Sequence, residues 1–412
     1  MRPTRWRGLA LGAACASLVF LPLAVEGARD PGTTAALPHR LADYSYRTGD
    51  VSDAPPGRAL ALYQHGFGVE FLDFPQAVVL AADTDVYRRL DVAEDRAGPE
   101  TQGDPAPMLL SPDGRRVAIG DHDLSGADIE VVDLSSGEVA RHPLPPARSV
   151  RPIAWSADSS QVAYLARDDA TDPYSGRALV GDLFVLHADS GEVTPMAVGD
   201  EVSVAAFSPD GLQLAVQRHG RDPGIAILEL ASATTRNLPQ PTSPTRSEQR
   251  RDAGILRSQG GQLAGPDAWS PDGQLLAIRQ DDELAFRDLG APAQSSPRTL
   301  SVQWPYGQAL VGWTGEREVA LLQTHDDDTT RLLAYALDGG EVRELTRVEG
   351  TSSYGVQTFQ LASALLSDLE VRPAGDPDRG PMPTLLRITL ALLLGLVVAA
   401  LTARLPRRPP GG

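Results

Sequence analysis

The chain has 412 residues and a formal net charge of −17, from 54 acidic and 37 basic residues. Every basic residue is an arginine, which excludes chemistry that needs a lysine, such as a Schiff base or a P-loop phosphate site. The acidic balance repels phosphate backbones, so nucleic acid is excluded as an expected partner. The only cysteine is Cys15, so no intramolecular disulfide can form.

The N-terminal segment, residues 1–28, has the pattern of a signal peptide or an uncleaved anchor. An apolar stretch from Gly8 to Val25 follows three arginines, and small residues come after it at Gly27 and Ala28. Both cleavage and retention are compatible with this pattern. Residues 29–57 are expected to form an extended segment that leads into the body of the protein.

The body, residues 58–371, repeats a four-residue turn signature. Ser-Pro-Asp-Gly occurs at 111–114, 208–211 and 270–273, and a degenerate Ser-Ala-Asp-Ser occurs at 156–159. A fifth copy begins at Trp313, and successive copies are 44 to 62 residues apart. A bulky apolar residue precedes the turn in each copy: Leu110, Trp155, Phe207, Trp269 and Trp313. We expect this column of residues to pack between neighbouring repeats.

Each copy predicts two β-hairpins. In the signature, proline presets φ, aspartate bonds nearby main-chain groups and glycine accepts a positive φ, which together make a tight turn. A second hairpin follows, for example Ile129–Leu134 and Val139–Leu144 on either side of a Ser-Ser-Gly-Glu turn. Four short strands in roughly 40 to 60 residues are typical of a propeller blade.

These units resemble the PD40, TolB-like class of WD40-related propeller repeats, on the signatures at 111, 208 and 270. The resemblance implies an all-β fold, a β-propeller of four-stranded blades that covers roughly residues 58–371. It implies little about function, because such propellers serve both as binding scaffolds and as gating domains of hydrolases.

We expect seven blades, with six as the alternative. Ala59–Tyr63 and Val69–Phe74 are assigned to the first hairpin of the first blade. Strands at Val356–Ala362 and Asp368–Arg372, completed by one at Asp43–Arg47, would make the seventh. Both ends of the body would then close the ring and leave no free sheet edge.

The C-terminal end predicts a membrane segment. A Pro-rich stalk at residues 372–383 leads to a predicted transmembrane helix at 384–403 and a cytoplasmic tail at 404–412. Arg404, Arg407 and Arg408 follow the apolar run, so the positive-inside rule places this end in the cytoplasm. Both apolar ends therefore predict a propeller on the extracytoplasmic side of the cell membrane.

One face of the ring is expected to be acidic. If the strands of each blade are named a to d from the inside outwards, the b–c loops and the d–a connections share a face. The b–c loops carry the acidic residues of a possible binding face: Asp168, Asp169, Asp281, Asp282, Glu283, Asp326, Asp327 and Asp328. Such a face could bind cations or a basic partner, or its loops could be solvated turns that keep the protein soluble.

No assembled metal or catalytic set is found. Asp121, Asp123 and Ser125 begin like a calcium loop, but the twelfth position, which needs a bidentate glutamate, is Val132. None of the seven histidines stands at zinc-ligand spacing from another, and no Gly-x-Ser-x-Gly elbow occurs. No cofactor is therefore predicted.

The longest connection, Pro239–Asp267, is rich in arginine, whereas the body as a whole is acidic. It carries four arginines, at Arg246, Arg250, Arg251 and Arg257. A loop of this length is usually either functional or disordered. Strand order places it on the face of the acidic loops, so we expect a mobile flap that salt loosens.

The pattern favours a membrane-tethered extracytoplasmic propeller that binds an envelope protein or a glycan without catalysis. The alternative is a propeller enzyme, a metal-dependent hydrolase or lyase that uses the central channel. Inward-facing carboxylates or histidines that converge at one channel mouth would favour the enzyme.

Overall fold

The computed structural model describes residues 34–66, 75–124, 128–144, 148–239, 261–280, 283–291, 298–301, 310–324, 329–339, 342–348 and 356–404. The predicted signal or anchor segment, the strand predicted at Val69–Phe74 and residues 405–412 of the predicted tail lie outside these ranges. The elements in chain order are β1 (Ala36–Pro38), β2 (Ala59–His65), β3 (Gln76–Ala81), β4 (Tyr87–Arg89), α1 (Asp91–Asp95), β5 (Met108–Leu110), β6 (Arg116–Ile119), β7 (Asp128–Asp133), β8 (Val139–Pro143), β9 (Ser149–Trp155), β10 (Gln161–Arg167), β11 (Asp182–His187), β12 (Val193–Pro195), β13 (Glu201–Phe207), β14 (Gln213–His219), β15 (Gly224–Glu229), β16 (Thr234–Asn237), β17 (Gln262–Leu263), β18 (Leu275–Gln280), β19 (Glu283–Asp288), β20 (Arg298–Ser301), β21 (Leu310–Gly315), β22 (Glu318–Thr324), β23 (Thr330–Ala336), β24 (Val342–Val348), β25 (Val356–Leu361), β26 (Glu370–Arg372) and α2 (Thr384–Arg404).

The strands form a six-bladed β-propeller of four-stranded antiparallel blades. In blades 2 to 6, which begin at β5, β9, β13, β17 and β21, four consecutive strands pair in chain order. The first strands of neighbouring blades contact each other, β5 with β9 and β9 with β13, so they surround the central axis. The predicted all-β propeller of four-stranded blades is therefore confirmed.

Blade 1 is completed by strands from both ends of the body. Its order is β25-β2-β3-β4, and β25 pairs antiparallel with β2 in a register that sets Leu62 opposite Gln360. The prediction of seven blades is wrong, because β25 is the innermost strand of blade 1 and not part of a further blade. Asp43–Arg47 forms no strand, and β26 instead pairs in parallel with β1.

The signature turns connect the a and b strands, and their side chains close each turn. The Ser208 hydroxyl donates to Asp210 Oδ1 at 2.5 Å and accepts from the Gln213 N–H at 2.9 Å. The degenerate turn of blade 3 keeps the same bonds, although Ser159 occupies the left-handed region with φ of 60° where the other turns have glycine. The serine and the aspartate therefore maintain the turn even where the glycine is missing.

The bulky residues before the turns link neighbouring blades, as predicted. Trp155 and Trp269 are about 6 and 7% exposed, and each donates its indole N–H to the a strand of the preceding blade. The acceptors are the Leu109 carbonyl, at 3.0 Å, and the Ala206 carbonyl, at 3.1 Å. Because the same position repeats around the ring, these bonds fix how one blade stacks on the next.

Residues 372–383, predicted as a stalk, contact blade 1. Main-chain bonds join Tyr87 N–H to the Asp378 carbonyl at 2.8 Å and Gly49 N–H to the Arg379 carbonyl at 2.7 Å. Helix α2 follows and includes the predicted transmembrane segment, 384–403. Among the helices that the structure describes, none reaches the length and apolarity required of a membrane span.

Candidate functional site

The a–b turns surround a cavity at the end of the propeller axis, which we call the axial cup. Its volume is about 270 Å³, and all six blades contribute to its wall. The described residues that line it are Leu109, Leu110, Pro112, Trp155, Ala157, Phe207, Pro209, Pro266, Asp267, Trp269, Pro271, Trp313, Gln360, Leu361, Ser363 and Ala364.

The repeat itself makes the axial cup apolar. The second signature residue places Pro112, Pro209 and Pro271 at the cavity, and the residue before the signature adds Phe207 and three tryptophans. Both positions are set by the turn, so each blade delivers similar side chains to the same wall. A concave site lined by aromatic and apolar side chains is the usual form of a binding cavity in proteins.

Blade 5 departs from the repeat at the axial cup. In a regular antiparallel sheet, a single residue of the innermost strand would both donate a hydrogen bond to the Ala277 carbonyl and accept one from the Ala277 N–H. Here two different residues, Ala264 and Ala268, make these two bonds. Ala264 N–H donates to the Ala277 carbonyl at 3.1 Å, while Ala277 N–H donates to the Ala268 carbonyl at 2.8 Å. Residues 265–267 are thus excluded from the ladder and form an excursion of the innermost strand. Gly265 begins it with φ of 141°, a conformation that favours glycine.

The strand excursion brings the Asp267 carboxyl to the axial cup. The residue three positions before the signature is apolar in the other copies, where it is Met108, Ile153, Ala205 or Val311. Asp267 is partly exposed at the cavity, and its carboxyl makes no hydrogen bond or ion pair with any described residue. Desolvation raises its pKa to about 7. A carboxyl that loses water contacts in an apolar cavity without gaining a partner is destabilised in its charged form.

Two other polar side chains at the axial cup, those of Gln360 and Trp313, form hydrogen bonds within the fold. Gln360 Oε1 accepts from the Leu110 N–H at 2.7 Å, and Gln360 Nε2 donates to the Met108 carbonyl at 2.9 Å. Trp313 donates its indole N–H to the Asp267 carbonyl at 2.9 Å. Asp267 is therefore the only ionisable side chain among the described residues that line the cavity.

The predicted acidic face lies at the opposite end of the b strands from the axial cup. Asp168 and Asp169 are exposed there, and Asp168 pairs with Arg148 at 2.9 Å. Glu283 is also exposed, at the start of β19. Asp281, Asp282 and the three aspartates of the blade 6 loop, Asp326, Asp327 and Asp328, lie outside the described residues.

Of the residues that resemble the start of a calcium loop, Asp121 faces an arginine. Asp121 is buried, accepts from the Asp123 N–H at 2.8 Å and lies 3.7 Å from Arg96 Nη2. Arg96 also pairs with Asp128 at 2.7 Å and Glu130 at 3.0 Å, so one guanidinium faces the carboxylates of Asp121, Asp128 and Glu130. Ser125 lies outside the described ranges. Nowhere in those ranges do three His, Cys, Asp or Glu side chains converge as a metal site.

The arginines of the predicted flap, Arg246, Arg250, Arg251 and Arg257, also lie outside the described residues. The sequence interpretation assigned Asp267 to the end of that loop and did not recognise it as a site residue. An alignment of the copies on the signature would have revealed it, since Asp267 is the only charged residue in an otherwise apolar column.

No protein-family model and no curated protein matches the chain. Solved structures of similar fold include TolB from Acinetobacter baumannii, at 14% identity and a TM-score of 0.45, covering 70% of this chain. The chain spans 66% of that TolB chain, just under two thirds. A β-propeller domain from Myceliophteria thermophila has 13% identity and a TM-score of 0.39, covering 59% and 72% of the two chains. An oligogalacturonate lyase in complex with manganese has 14% identity and a TM-score of 0.43, covering 75% and 78%. The likeness to TolB and to WD40-type propellers concerns the fold alone.

Proposed function

We propose that this chain is a binding scaffold whose axial cup receives a segment of a partner protein, without catalysis. The observation that carries the proposal is the cup itself, a cavity of about 270 Å³ with a mostly apolar wall built by all six blades. Leu212, in the turn of blade 4 on the same face, is 61% exposed. Aromatic and apolar groups at a rim of this kind are typical of the buried centre of a protein interface.

A propeller enzyme is the second candidate, and one observation favours it. A carboxyl with a pKa of about 7 in an apolar cavity suits a general acid or base near neutral pH. Such catalysis commonly needs a second acid–base group or a metal, and the described lining of the axial cup offers neither a histidine nor a second carboxyl. The binding scaffold therefore has the stronger support.

The location is proposed from the sequence alone. Both apolar ends of the chain have arginines on their outer sides, which favours a propeller held at the extracytoplasmic face of the cell membrane, near an envelope protein or glycan. A reporter enzyme that works only in the cytoplasm, fused after Arg379, should then be silent. Activity of that fusion would overturn the proposed location.

A matched pair of substitutions in blade 3 tests the proposed function. Ala157 is exposed at the axial cup, whereas Ala170 is exposed in the b–c loop on the opposite face. A displayed library of random peptides is selected on the wild-type chain, and the enriched peptides are titrated against Ala157→Trp and Ala170→Trp. Binding that is lost only in Ala157→Trp supports the proposal. Failure to enrich any peptide, or equal binding to both variants, would overturn it.

A further inference from the structure

We infer that the axial cup selects an arginine side chain, brought in by an extended segment of the partner protein and paired with the Asp267 carboxylate. This inference rests on the proposed function and adds to it the charge and the residue type of the occupant. The strand excursion of blade 5 and the apolar wall of the cavity support it separately.

The excursion shows that the carboxyl is built into the fold at a cost. Residues 265–267 leave the innermost strand, which loses ladder bonds, and they set Asp267 where every other copy has an apolar side chain. Asp267 is only partly exposed at the cavity, and its carboxyl has no partner among the described residues. A fixed carboxylate in an apolar cavity complements a ligand that carries the opposite charge.

The apolar wall favours a guanidinium over other cations. Trp155, Trp269 and Trp313 line the cavity with only 5–7% of each residue exposed, so they make the wall apolar without offering open ring faces. A guanidinium is less strongly hydrated than an ammonium group and can pair with a carboxylate through two parallel N–H bonds, so it suits a carboxylate in such a wall better. A metal ion would need several oxygen ligands, whereas the described wall offers one carboxyl.

Two peptides that differ only in charge test the inference. Acetyl-Pro-Leu-Arg-Leu-Pro-amide and the same peptide with citrulline, the neutral isostere of arginine, are titrated into the full chain by calorimetry. The arginine peptide should bind the wild type at least about tenfold more tightly, because only it forms a charge-assisted pair. In Asp267→Asn the two affinities should agree within about twofold. Asp168→Asn, on the opposite face, should keep the preference.

Different negative results would contradict the arginine inference and the proposed function. Equal binding of the two peptides to the wild type, no binding of either, or a preference that survives in Asp267→Asn would overturn the arginine inference. If both peptides bind equally and Ala157→Trp abolishes that binding, the axial cup still receives segments and only the choice of arginine fails. If peptides bind Ala157→Trp as well as the wild type, the proposed function fails too.

Discussion

Trp313 donates its indole N–H to the main-chain carbonyl of Asp267 at 2.9 Å, and so ties blade 6 to the strand excursion of blade 5. The equivalent bonds of Trp155 and Trp269 end on Leu109 and Ala206, which both remain paired within their sheets. One tryptophan therefore both joins two blades and holds the backbone of the candidate site residue.

Replacing Trp313 by phenylalanine should affect stability and selectivity together. Part of the aromatic packing is kept, but the pyrrole half of the indole and its bond to the Asp267 carbonyl are lost, at a cost of about 1–3 kcal/mol in the free energy of unfolding. The arginine preference over citrulline should also shrink, because the excursion is less firmly held. Thr346→Val is the control: it removes the buried bond from the Thr346 hydroxyl to the Pro38 carbonyl at 2.7 Å, away from the axial cup, so it should lower stability and leave the preference intact. Equal effects of both variants on selectivity would contradict this role of Trp313.

Trp269→Ala should lower the free energy of unfolding by about 3–5 kcal/mol, as expected for a large-to-small change in a packed core. The side chain is 7% exposed, and its loss would also leave the Ala206 carbonyl without its donor. Leu212→Ala, at a position that is 61% exposed, should change stability by less than about 0.5 kcal/mol. Denaturant melts of the two variants measure the difference. A loss below about 1 kcal/mol for Trp269→Ala would argue against the observed packing between blades.

Asp267→Asn should stabilise the protein, and more so at high pH. The pKa of Asp267 in the folded chain is about 7, against 3.8 for an ordinary aspartate, so the folded state holds this proton more tightly than the unfolded state. The wild type therefore loses stability as pH rises between about 4 and 7, and the asparagine variant avoids that loss. We expect its advantage to be about 1–3 kcal/mol larger at pH 8 than at pH 5.

Denaturant melts of wild type and variant at both pH values measure this difference directly. Other carboxyls with raised pKa values, Asp50 at about 6 and Glu94 at about 7, are common to both chains and cancel in the comparison. An advantage that does not change with pH would show that the Asp267 carboxyl is ordinary in the folded chain.

Gln360→Met should weaken the closure of the ring. Its amide satisfies the Leu110 N–H and the Met108 carbonyl across the junction of blades 1 and 2, and methionine fills similar space without either bond. Two main-chain groups would lose their partners, at a cost of about 2–4 kcal/mol in the free energy of unfolding. Gln274→Met, at an exposed turn position, is the control and should be close to neutral. Similar stability of both variants would refute the closing role of Gln360.

The turns, hairpins and blade repeat were predictable because each depends on residues that are adjacent in the sequence. Each Ser-Pro-Asp-Gly turn carries its own hydrogen-bonding side chains, so the hairpins and the blade repeat follow from a few adjacent residues. The number of blades was not predictable in this way. The pairing of β25 with β2 joins opposite ends of the body, and nothing in either strand alone indicates its partner.

The candidate site was missed for a similar reason. Gly265, Pro266 and Asp267 are common turn residues, and after a long connection they are naturally taken as its end. Only the ladder bonds of Ala264 and Ala268 to Ala277 show that these residues interrupt a strand. The acidic loops were the clearest site signal in the sequence, but the structure places those that it describes at the opposite end of the strands from the axial cup. Asp168, in one of these loops, pairs with Arg148.

The way blade 1 is completed makes its closure depend on contacts between distant parts of the chain. Leu110 and Gln360, for example, are 250 residues apart, and contacts of such long range are slow to form. Blades 2 to 6 pair only strands that are consecutive in the sequence, so we expect them to form before blade 1 closes. A chain arrested before residue 356 would hold five complete blades beside an open β2 edge, and that edge could pair with a strand of a second copy.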